Sequence, residues 1–225
     1  MSAPLVDQPT IPVLYEDEHL LVVDKPARCL VVAAPGRRGA TAVDRVGRQR
    51  GERVYAVHRL DEDTTGVLVL ARTEASREAL EQVFRRHEAQ RVYLALASRV
   101  PSPAAGRIES RLAVGRDGIV RSVTGRGGEL AVTRFRTLER RDRHALLECE
   151  LETGRRNQIR VHLSELGCPL VGDRKYGWRS RGSGGPDRPL LHAWRIRFVH
   201  PITGAVVDVG CDPTERELRP GPAKG

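Results

Sequence analysis

The stretch from residue 55 to residue 71 constrains the fold more than any other part of the chain. Val67–Ala71 is a continuous apolar run with the length and composition of a strand that is buried on both faces. Tyr55–Leu60 is predicted to form a strand as well, and a polar, acidic loop, Asp61–Gly66, separates the two. Side chains on a loop between two rigid strands can be aimed accurately. We therefore expect the chemistry of the chain in this loop, and Asp61 is the leading candidate.

The charge balance indicates the class of partner. The chain has 225 residues, with 38 Lys and Arg against 29 Asp and Glu, a net charge of +9 and a pI of about 10.1. Such a basic balance is typical of proteins that bind a polyanion such as a nucleic acid. A high arginine content can also reflect genomic base composition, so charge alone leaves the partner open.

Cysteine spacing and hydropathy argue against several other classes. The four cysteines form no CxxC pair, so neither a zinc site nor a disulfide framework is predicted. No apolar segment approaches the roughly 20 residues of a membrane span, and the N-terminus lacks the pattern of a signal peptide. We expect reduced thiols and a cytoplasmic protein without membrane contact.

Hydrophobic periodicity predicts both helices and strands. Thr41 is a plausible N-cap with Asp44 at the third helical position, so a short helix is predicted at Ala42–Gln49. Thr73 begins a second amphipathic pattern. A short apolar run at Leu30–Ala33 is assigned to one side of a sheet. Further strands are predicted at 20–24, 91–98, 107–114, 119–122, 131–138, 145–151, 190–199 and 206–209, of which the middle group looks antiparallel.

Two of these segments carry side chains of functional interest. On strand 91–98, Tyr93 faces away from the aliphatic residues. Between residues 153 and 167 apolar residues recur at helical spacing, which places Arg156 and Arg160 one turn apart on one side of a helix.

Six sequence blocks, taken in order, resemble the RluA-type pseudouridine synthases, which isomerise uridine to pseudouridine within RNA. The strongest is His58–Gly66 (HRLDEDTTG), and the likeness extends from about residue 14 to residue 209. Asn157 stands where the family usually has His. The other blocks are Asp24-Lys-Pro26, Arg91-Val-Tyr93, Thr153–His162 (TGRRNQIRVH), Leu170–Asp173 with Tyr176-Gly177, and Leu191-His-Ala193.

The resemblance implies the architecture. We expect one α+β catalytic domain at 13–212 with the pseudouridine synthase fold, which is a mixed, mainly antiparallel sheet with flanking helices and a central basic cleft. Residues 1–12 are then a flexible N-terminal segment and residues 213–225 a C-terminal tail. Many relatives carry a small RNA-binding domain in front, so we expect the catalytic domain of this chain to provide most of the RNA contact.

The resemblance also implies the roles of individual residues. Asp61 would be the catalytic carboxylate, either attacking the uracil ring or abstracting a sugar proton. Tyr93 would stack on the uracil or take part in proton transfer, and Arg160 would keep Asp61 ionised. Arg59 would fill the gap that a flipped base leaves in a stem. Arg155 and Arg156 are expected to contact phosphate.

Each of these residues also has a structural interpretation. Asp61 could cap a turn, Tyr93 could pack on its strand, and a basic helix could carry Arg160 as a solvated charge. Glu62 and Asp63 are interpreted as structural or solvated, since neighbouring carboxylates in a loop need not straddle a bond. The pair His58 and His162 is expected to make structural hydrogen bonds rather than bind a metal. The arginines of the flexible loops could clamp RNA or be solvated: Arg37, Arg38, Arg126, Arg179 and Arg181.

The prediction is therefore an RNA pseudouridine synthase that acts on ribosomal or transfer RNA, as a monomer, without a cofactor or a metal. A non-catalytic RNA-binding module that keeps the fold is the alternative. A hydrolase that uses paired carboxylates is the third hypothesis. The sequence leaves open which RNA and which uridine are modified.

Overall fold

The computed structural model describes residues 9–37, 39–180, 185–215 and 218–219, and within them one large sheet dominates. Along its main path the strand order is β1-β2-β4-β10-β5-β9-β8-β6-β7, while β3 pairs with β4 and β11 with β10. The strands are β1 Val13–Glu16, β2 Leu20–Lys25, β3 Tyr55–Ala56, β4 Thr65–Ala71, β5 Gln90–Ala97, β6 Ala105–Val114, β7 Val120–Val123, β8 Glu129–Arg141, β9 His144–Leu151, β10 Leu191–Val199 and β11 Val206–Gly210.

The sheet is mixed because of one strand pair. β10 runs parallel to β4, whereas all other pairs in the described part of the chain are antiparallel. Gly66 allows the parallel contact: its φ is +105°, and a Cβ there would lie 2.2 Å from the carbonyl oxygen of Ala193. The predicted α+β fold with a mixed, mainly antiparallel sheet is confirmed.

Strand β4 lies in the centre of the core, as its apolar run predicts. Leu68 and Leu70 pack into a cluster on one face, whereas Val67 and Val69 pack into a second cluster on the other. The first cluster includes residues of helices α1 (Ala42–Arg50) and α3 (Gln158–Glu165), and the second includes residues of α2 (Glu74–Arg85). Helices therefore cover both faces of the sheet around β4. This packing fixes the position of β4, the strand that follows the Asp61 loop.

The predicted helix starts are confirmed by their capping interactions. The Thr41 side chain accepts a hydrogen bond from the backbone N–H of Asp44, and the Asp44 carboxylate accepts one from the backbone N–H of Thr41. Thr73 and Ser76 make the same reciprocal pair at the start of α2. These boxes satisfy backbone donors that the first helical turn leaves free. No described helix has the length and apolar character that a membrane crossing requires.

Three local predictions were wrong, two because a backbone group has another partner and one because of a left-handed residue. The strand from Tyr55 ends at Ala56, because the His58 side chain takes the backbone N–H of Val69 at 2.9 Å. The run Leu30–Ala33 is no strand, because its first two carbonyls accept hydrogen bonds from the start of α1. Arg156 lies in a turn before α3 and not on the helix, because Asn157 has a left-handed backbone with φ of 56°.

The chain ends lie only partly within the described residues. Residues 1–8, 216–217 and 220–225 fall outside them, as do Arg38 and residues 181–184 of the loop predicted to be basic and mobile. Leu218, within the predicted tail, is fully buried against a cluster that includes Leu94 and Trp178. The domain boundaries stay a prediction.

Candidate active site

A cleft with a cavity of about 520 Å³ lies between the Asp61 loop, strand β5 and the start of α3. Its wall contains Asp61, Tyr93 and Arg160, so three side chains from distant parts of the sequence meet there. Cationic groups outnumber acidic ones in the lining. The arginines are Arg59, Arg85, Arg91, Arg155 and Arg160, and the acids are Asp61 and Glu81.

The Asp61 loop is held through three successive backbone carbonyls. Asp61 O accepts a hydrogen bond from Thr64 N at 3.1 Å, which closes the turn. Glu62 O accepts from Lys25 Nζ at 3.0 Å, and Asp63 O accepts from Arg188 Nη1 at 3.0 Å. Hydrogen bonds from charged donors are the stronger ones, so the loop backbone is fixed independently of its carboxylate side chains. The Asp61 carboxylate, 19% exposed, is thereby aimed at the cleft.

Lys25 is a fully buried lysine beneath this loop. Its ammonium group also donates to the carbonyls of Pro26 and Cys29, both at 2.8 Å. Burial lowers the pKa of Lys25 to about 8, although nearby Cys29 and the loop acids act in the opposite direction. The sequence blocks include Lys25, but nothing in the sequence predicted its role beneath the loop.

Arg160 is anchored mainly by Asp173 and reaches Asp61 with one nitrogen. Its Nε and Nη2 donate to the two oxygens of Asp173 at 2.7 and 2.9 Å, whereas Nη1 lies 3.5 Å from Asp61 Oδ2. Burial would lower the pKa of Arg160, but the hydrogen bonds and charge of Asp173 raise it overall. Asp173 thus orients a permanently charged guanidinium beside Asp61.

Asn157 completes the support of Arg160. Its side-chain oxygen accepts from Arg160 Nη1 at 3.3 Å, and its amide nitrogen donates to the Tyr176 hydroxyl at 3.0 Å. The guanidinium carbon of Arg160 lies 5.0 Å from the centre of the Tyr176 ring. The left-handed backbone of Asn157 is uncommon outside glycine, and asparagine is one of the residues that tolerates it.

Tyr93 places a phenol at the inner wall of the cleft. Its side chain is on the opposite face of β5 from Leu94 and Leu96, as predicted, and packs in the same cluster as Leu60 and Ile159. Burial raises the pKa of Tyr93 to about 12, and the charge of Asp61 adds to the effect. The hydroxyl is therefore protonated at neutral pH and able to donate a hydrogen bond.

The predicted RNA-binding arginines occupy different places. Arg59 is exposed at the cleft edge, and Arg155 lines the cleft while bonding the Leu130 carbonyl at 3.0 Å and Glu129 at 3.2 Å. Arg156 is exposed and does not line the cavity. Of the loop arginines proposed for a clamp, Arg37 is paired with Glu62. Arg38 and Arg181 lie outside the described residues, whereas Arg126 and Arg179 lie within them, away from the cavity.

Comparison with known proteins then assigns the family. A family model described as RNA pseudouridylate synthase matches residues 19–165, which include β4, β5 and all of α3. The chain belongs to the RNA pseudouridylate synthase family. The resemblance in the sequence blocks is confirmed.

The relatives of this family come from several lineages. An uncharacterized RNA pseudouridine synthase of Synechocystis is 39% identical over 210 residues, covering 87% of this chain and 63% of the relative. Ribosomal large subunit pseudouridine synthase D of Zymomonas mobilis is 37% identical over 225 residues, covering 92% and 70%. The chain spans 56 to 70% of the length of the most similar curated relatives.

A solved structure of the family agrees with the fold. Human RNA pseudouridylate synthase domain containing 4 superposes with a TM-score of 0.75 at 28% identity, over 90% of this chain and 89% of the human one. The pseudouridine synthase fold predicted from the sequence blocks is therefore confirmed. The roles of the individual site residues stay predictions.

His58 and His162, the two histidines expected to make structural hydrogen bonds, hold elements together. His58 stacks on Phe84 with ring centroids 4.3 Å apart, and burial lowers its pKa to about 3. His162 bonds Thr133 Oγ1 at 2.9 Å and Ser110 Oγ at 3.1 Å, so it joins α3 to β8 and β6. Neither lies in a group of three or more metal-ligating side chains within the described residues.

Proposed function

We propose that this protein is an RNA pseudouridine synthase that isomerises uridine in ribosomal RNA, with Asp61 as its catalytic carboxylate. The observation that carries the proposal is the position of Asp61, on a backbone-anchored loop in a basic cleft, 3.5 Å from Arg160. A carboxylate that only capped a turn would not need a guanidinium held by a second, buried acid.

The names of the relatives support the choice of RNA. Four bacterial relatives at 35 to 38% identity are named ribosomal large subunit pseudouridine synthase D. The cleft fits an RNA ligand, since its lining has more cationic than acidic groups. We therefore place the target uridine in large-subunit ribosomal RNA and keep transfer RNA as the second choice.

The reaction needs a nucleophile and a proton exchange, but no net oxidation. The bond between N1 of uracil and C1′ of the sugar breaks, the base rotates, and C5 joins C1′. C5 loses its proton while N1 gains one, so atoms and electrons balance. Asp61 starts the exchange either by adding to the uracil ring or by removing a sugar proton. Arg160 stabilises its negative charge, and the neutral hydroxyl of Tyr93 is available beside the base.

Arg59 suits the proposed role in base flipping. A uridine in a stem must leave the stack to reach Asp61, at a cost of a few kcal/mol. Arg59 is exposed, lies two residues before Asp61 and lines the same cleft. Its side chain can occupy the place of the flipped base without breaking an ion pair, since none involves Arg59 within the described residues.

Tritium release tests the proposal directly. An unmodified transcript of large-subunit ribosomal RNA carrying 5-tritiated uridine is incubated with the protein, and tritium in the water is counted. We expect release with the wild type and a fall of more than about 10³-fold with Asp61→Asn, because the variant keeps the shape but loses the carboxylate. Glu62→Gln is the matched control, since the Glu62 side chain faces Arg37 instead of the cleft.

The same assay separates the alternatives. A non-catalytic RNA-binding module would release no tritium with either protein and would bind RNA equally well with Asp61→Asn. A hydrolase would liberate free uracil, which chromatography of the small-molecule fraction detects. A cytoplasmic location, a monomeric state and independence from cofactors and metals remain parts of the proposal.

A further inference from the structure

Arg91 is a buried arginine in the cleft that the proposed reaction does not use. It lies two residues before Tyr93 on β5, is 8% exposed and lines the cavity. Within the described residues it donates one long hydrogen bond, from Nη2 to the Leu151 carbonyl at 3.4 Å. Its Nε is buried without a hydrogen-bond partner among these residues. Most donors of this guanidinium therefore have no acceptor in the described part of the chain.

The surroundings of Arg91 contain cations and no compensating acid. Burial lowers the pKa of Arg91, the charge of Arg155 adds to the effect, and no carboxylate of the described residues is among the groups that act on it. His87 also lines the cleft, and its pKa is lowered by burial and then by the charges of Arg91 and Arg155. An arginine stays charged even when buried, and a buried charge without a partner is strongly unfavourable. A bound anion would remove that penalty.

Gly154 shows that the chain leaves room for this guanidinium. A Cβ at Gly154 would lie 2.4 Å from Arg91 Nη1, closer than real Cβ atoms approach. The turn that leads into α3 therefore passes directly over Arg91, and a side chain at residue 154 would require the guanidinium to shift. Arg155, the next residue, brings a second guanidinium to the same wall of the cleft.

We propose that Arg91, flanked by Arg155, binds a backbone phosphate of the RNA next to the nucleotide that enters the cleft. The inference rests on the proposed function. A guanidinium presents parallel donors that match two oxygens of a phosphodiester. Arg91 shares its face of β5 with Tyr93, so a phosphate held there lies within the same cleft as the base beside Tyr93. Arg91 would thus fix the register of the strand while Asp61 acts on the base.

The test measures RNA binding against salt in proteins that also carry Asp61→Asn, so that the RNA is not consumed. The probe is the unmodified large-subunit ribosomal RNA transcript, and its affinity is measured between 50 and 200 mM KCl, roughly the range over which phosphate contacts lose strength. We expect Arg91→Gln to bind about tenfold more weakly at low salt, with a log–log salt slope smaller by about 0.7 to 1. Arg86→Gln, at an exposed arginine outside the cavity, is the control and should keep both values.

Unchanged affinity and salt slope in Arg91→Gln would overturn the inference. Weaker binding with an unchanged salt slope would also overturn it, because it would indicate that Arg91 contacts an uncharged part of the base. Arg91→Lys keeps the charge and loses the paired donors, so we expect about threefold weaker binding at an unchanged slope. If Arg91→Gln does not fold, parental affinity in Arg91→Lys would contradict the proposal. Tritium release by the wild type, measured in parallel, reports on the proposed function separately.

Discussion

The arginines of the cleft and those of the outer arginine face, defined as Arg107, Arg134 and Arg136, differ in the partners that the fold gives them. On the outer face, strands β6, β8 and β9 set each arginine against a glutamate. Arg134 lies 2.5 Å from Glu152 and Arg136 lies 2.6 Å from Glu148. In the cleft, Arg59 and Arg91 have no ion pair within the described residues, and Arg160 is held by an acid that is almost completely buried. The other two cleft arginines, Arg85 and Arg155, do pair with acids, Glu81 and Glu129.

The difference shows where the net charge of +9 can act on a partner. Exposed pairs on a sheet surface contribute about 0 to 1 kcal/mol each and cancel one another at a distance. Arginines without acidic partners keep their field, and a cleft with apolar walls concentrates it. We therefore expect the outer arginine face to matter little for RNA binding and the cleft to be the place that attracts a polyanion.

Among the variants that test this comparison, Asp173→Asn is expected to have the largest effect, because it breaks the buried pair that orients Arg160. Losing one partner of such a pair typically costs about 3–5 kcal/mol of stability. Arg160 would then be free to turn fully to Asp61 or away from it, and we expect tritium release to fall by about 10²-fold. Chemical denaturation and the tritium assay measure the two effects.

Glu148→Gln on the outer face is the matched control for this prediction. It removes an acid from the pair with Arg136, at a site where the partner is solvated. We expect stability within about 1 kcal/mol of the wild type and unchanged activity. If both variants lose activity equally, the distinction between the cleft and the outer face is wrong.

The sequence predicted those features that depend on local pattern. The apolar run of β4, the capping residues Thr41 and Thr73 and the alternation around Tyr93 all follow from residue order within a short window. The block order predicted the family and the sheet. Asp61, Tyr93 and Arg160 do line one cleft, although the strand order that brings them together came from the resemblance and not from periodicity.

The remaining features depend on contacts across the fold, which local pattern does not encode. Lys25 and Arg188 support the Asp61 loop from segments 37 and 125 residues away in sequence. The anchoring of Arg160 by Asp173 depends on the path of the chain after α3, which brings residue 173 back beside the helix. The strand ends at Ala56 because the His58 side chain, and not a backbone carbonyl, accepts the hydrogen bond from the backbone N–H of Val69. In the sequence Arg91 looks like any arginine on a strand, and only the structure shows that no acid pairs with it among the described residues.

Arg59→Gln tests the comparison at the cleft edge with an intermediate effect. We expect RNA binding or turnover to fall about tenfold, because a cation without an ion pair among the described residues is lost at the proposed place of base flipping. Arg134→Gln removes the same charge from the outer arginine face and should change RNA affinity less than about twofold. Equal losses in the two variants would mean that RNA responds to total charge only.

Mild acid should weaken the junction between α3 and the sheet before the outer arginine face, and this is the smallest expected effect. Burial lowers the pKa of His162 to about 4, below the 6.5 of an exposed histidine. Between pH 6.5 and 4 the unfolded chain therefore binds a proton that the folded chain refuses, so stability falls as pH falls. On the outer face, hydrogen bonds from Arg107 and Arg134 lower the pKa of Glu152 despite some desolvation, so its pair persists to lower pH.

Urea unfolding at pH 7, 6 and 5 would measure this dependence. Each refused proton contributes at most about 1.4 kcal/mol per pH unit. We expect His162→Gln to be less stable at pH 7, since it disturbs the contacts with Thr133 and Ser110, but to lose less stability on acidification. Glu152→Gln should keep the wild-type slope over this range. If His162→Gln keeps that slope too, the acid response does not come from the junction between α3 and the sheet.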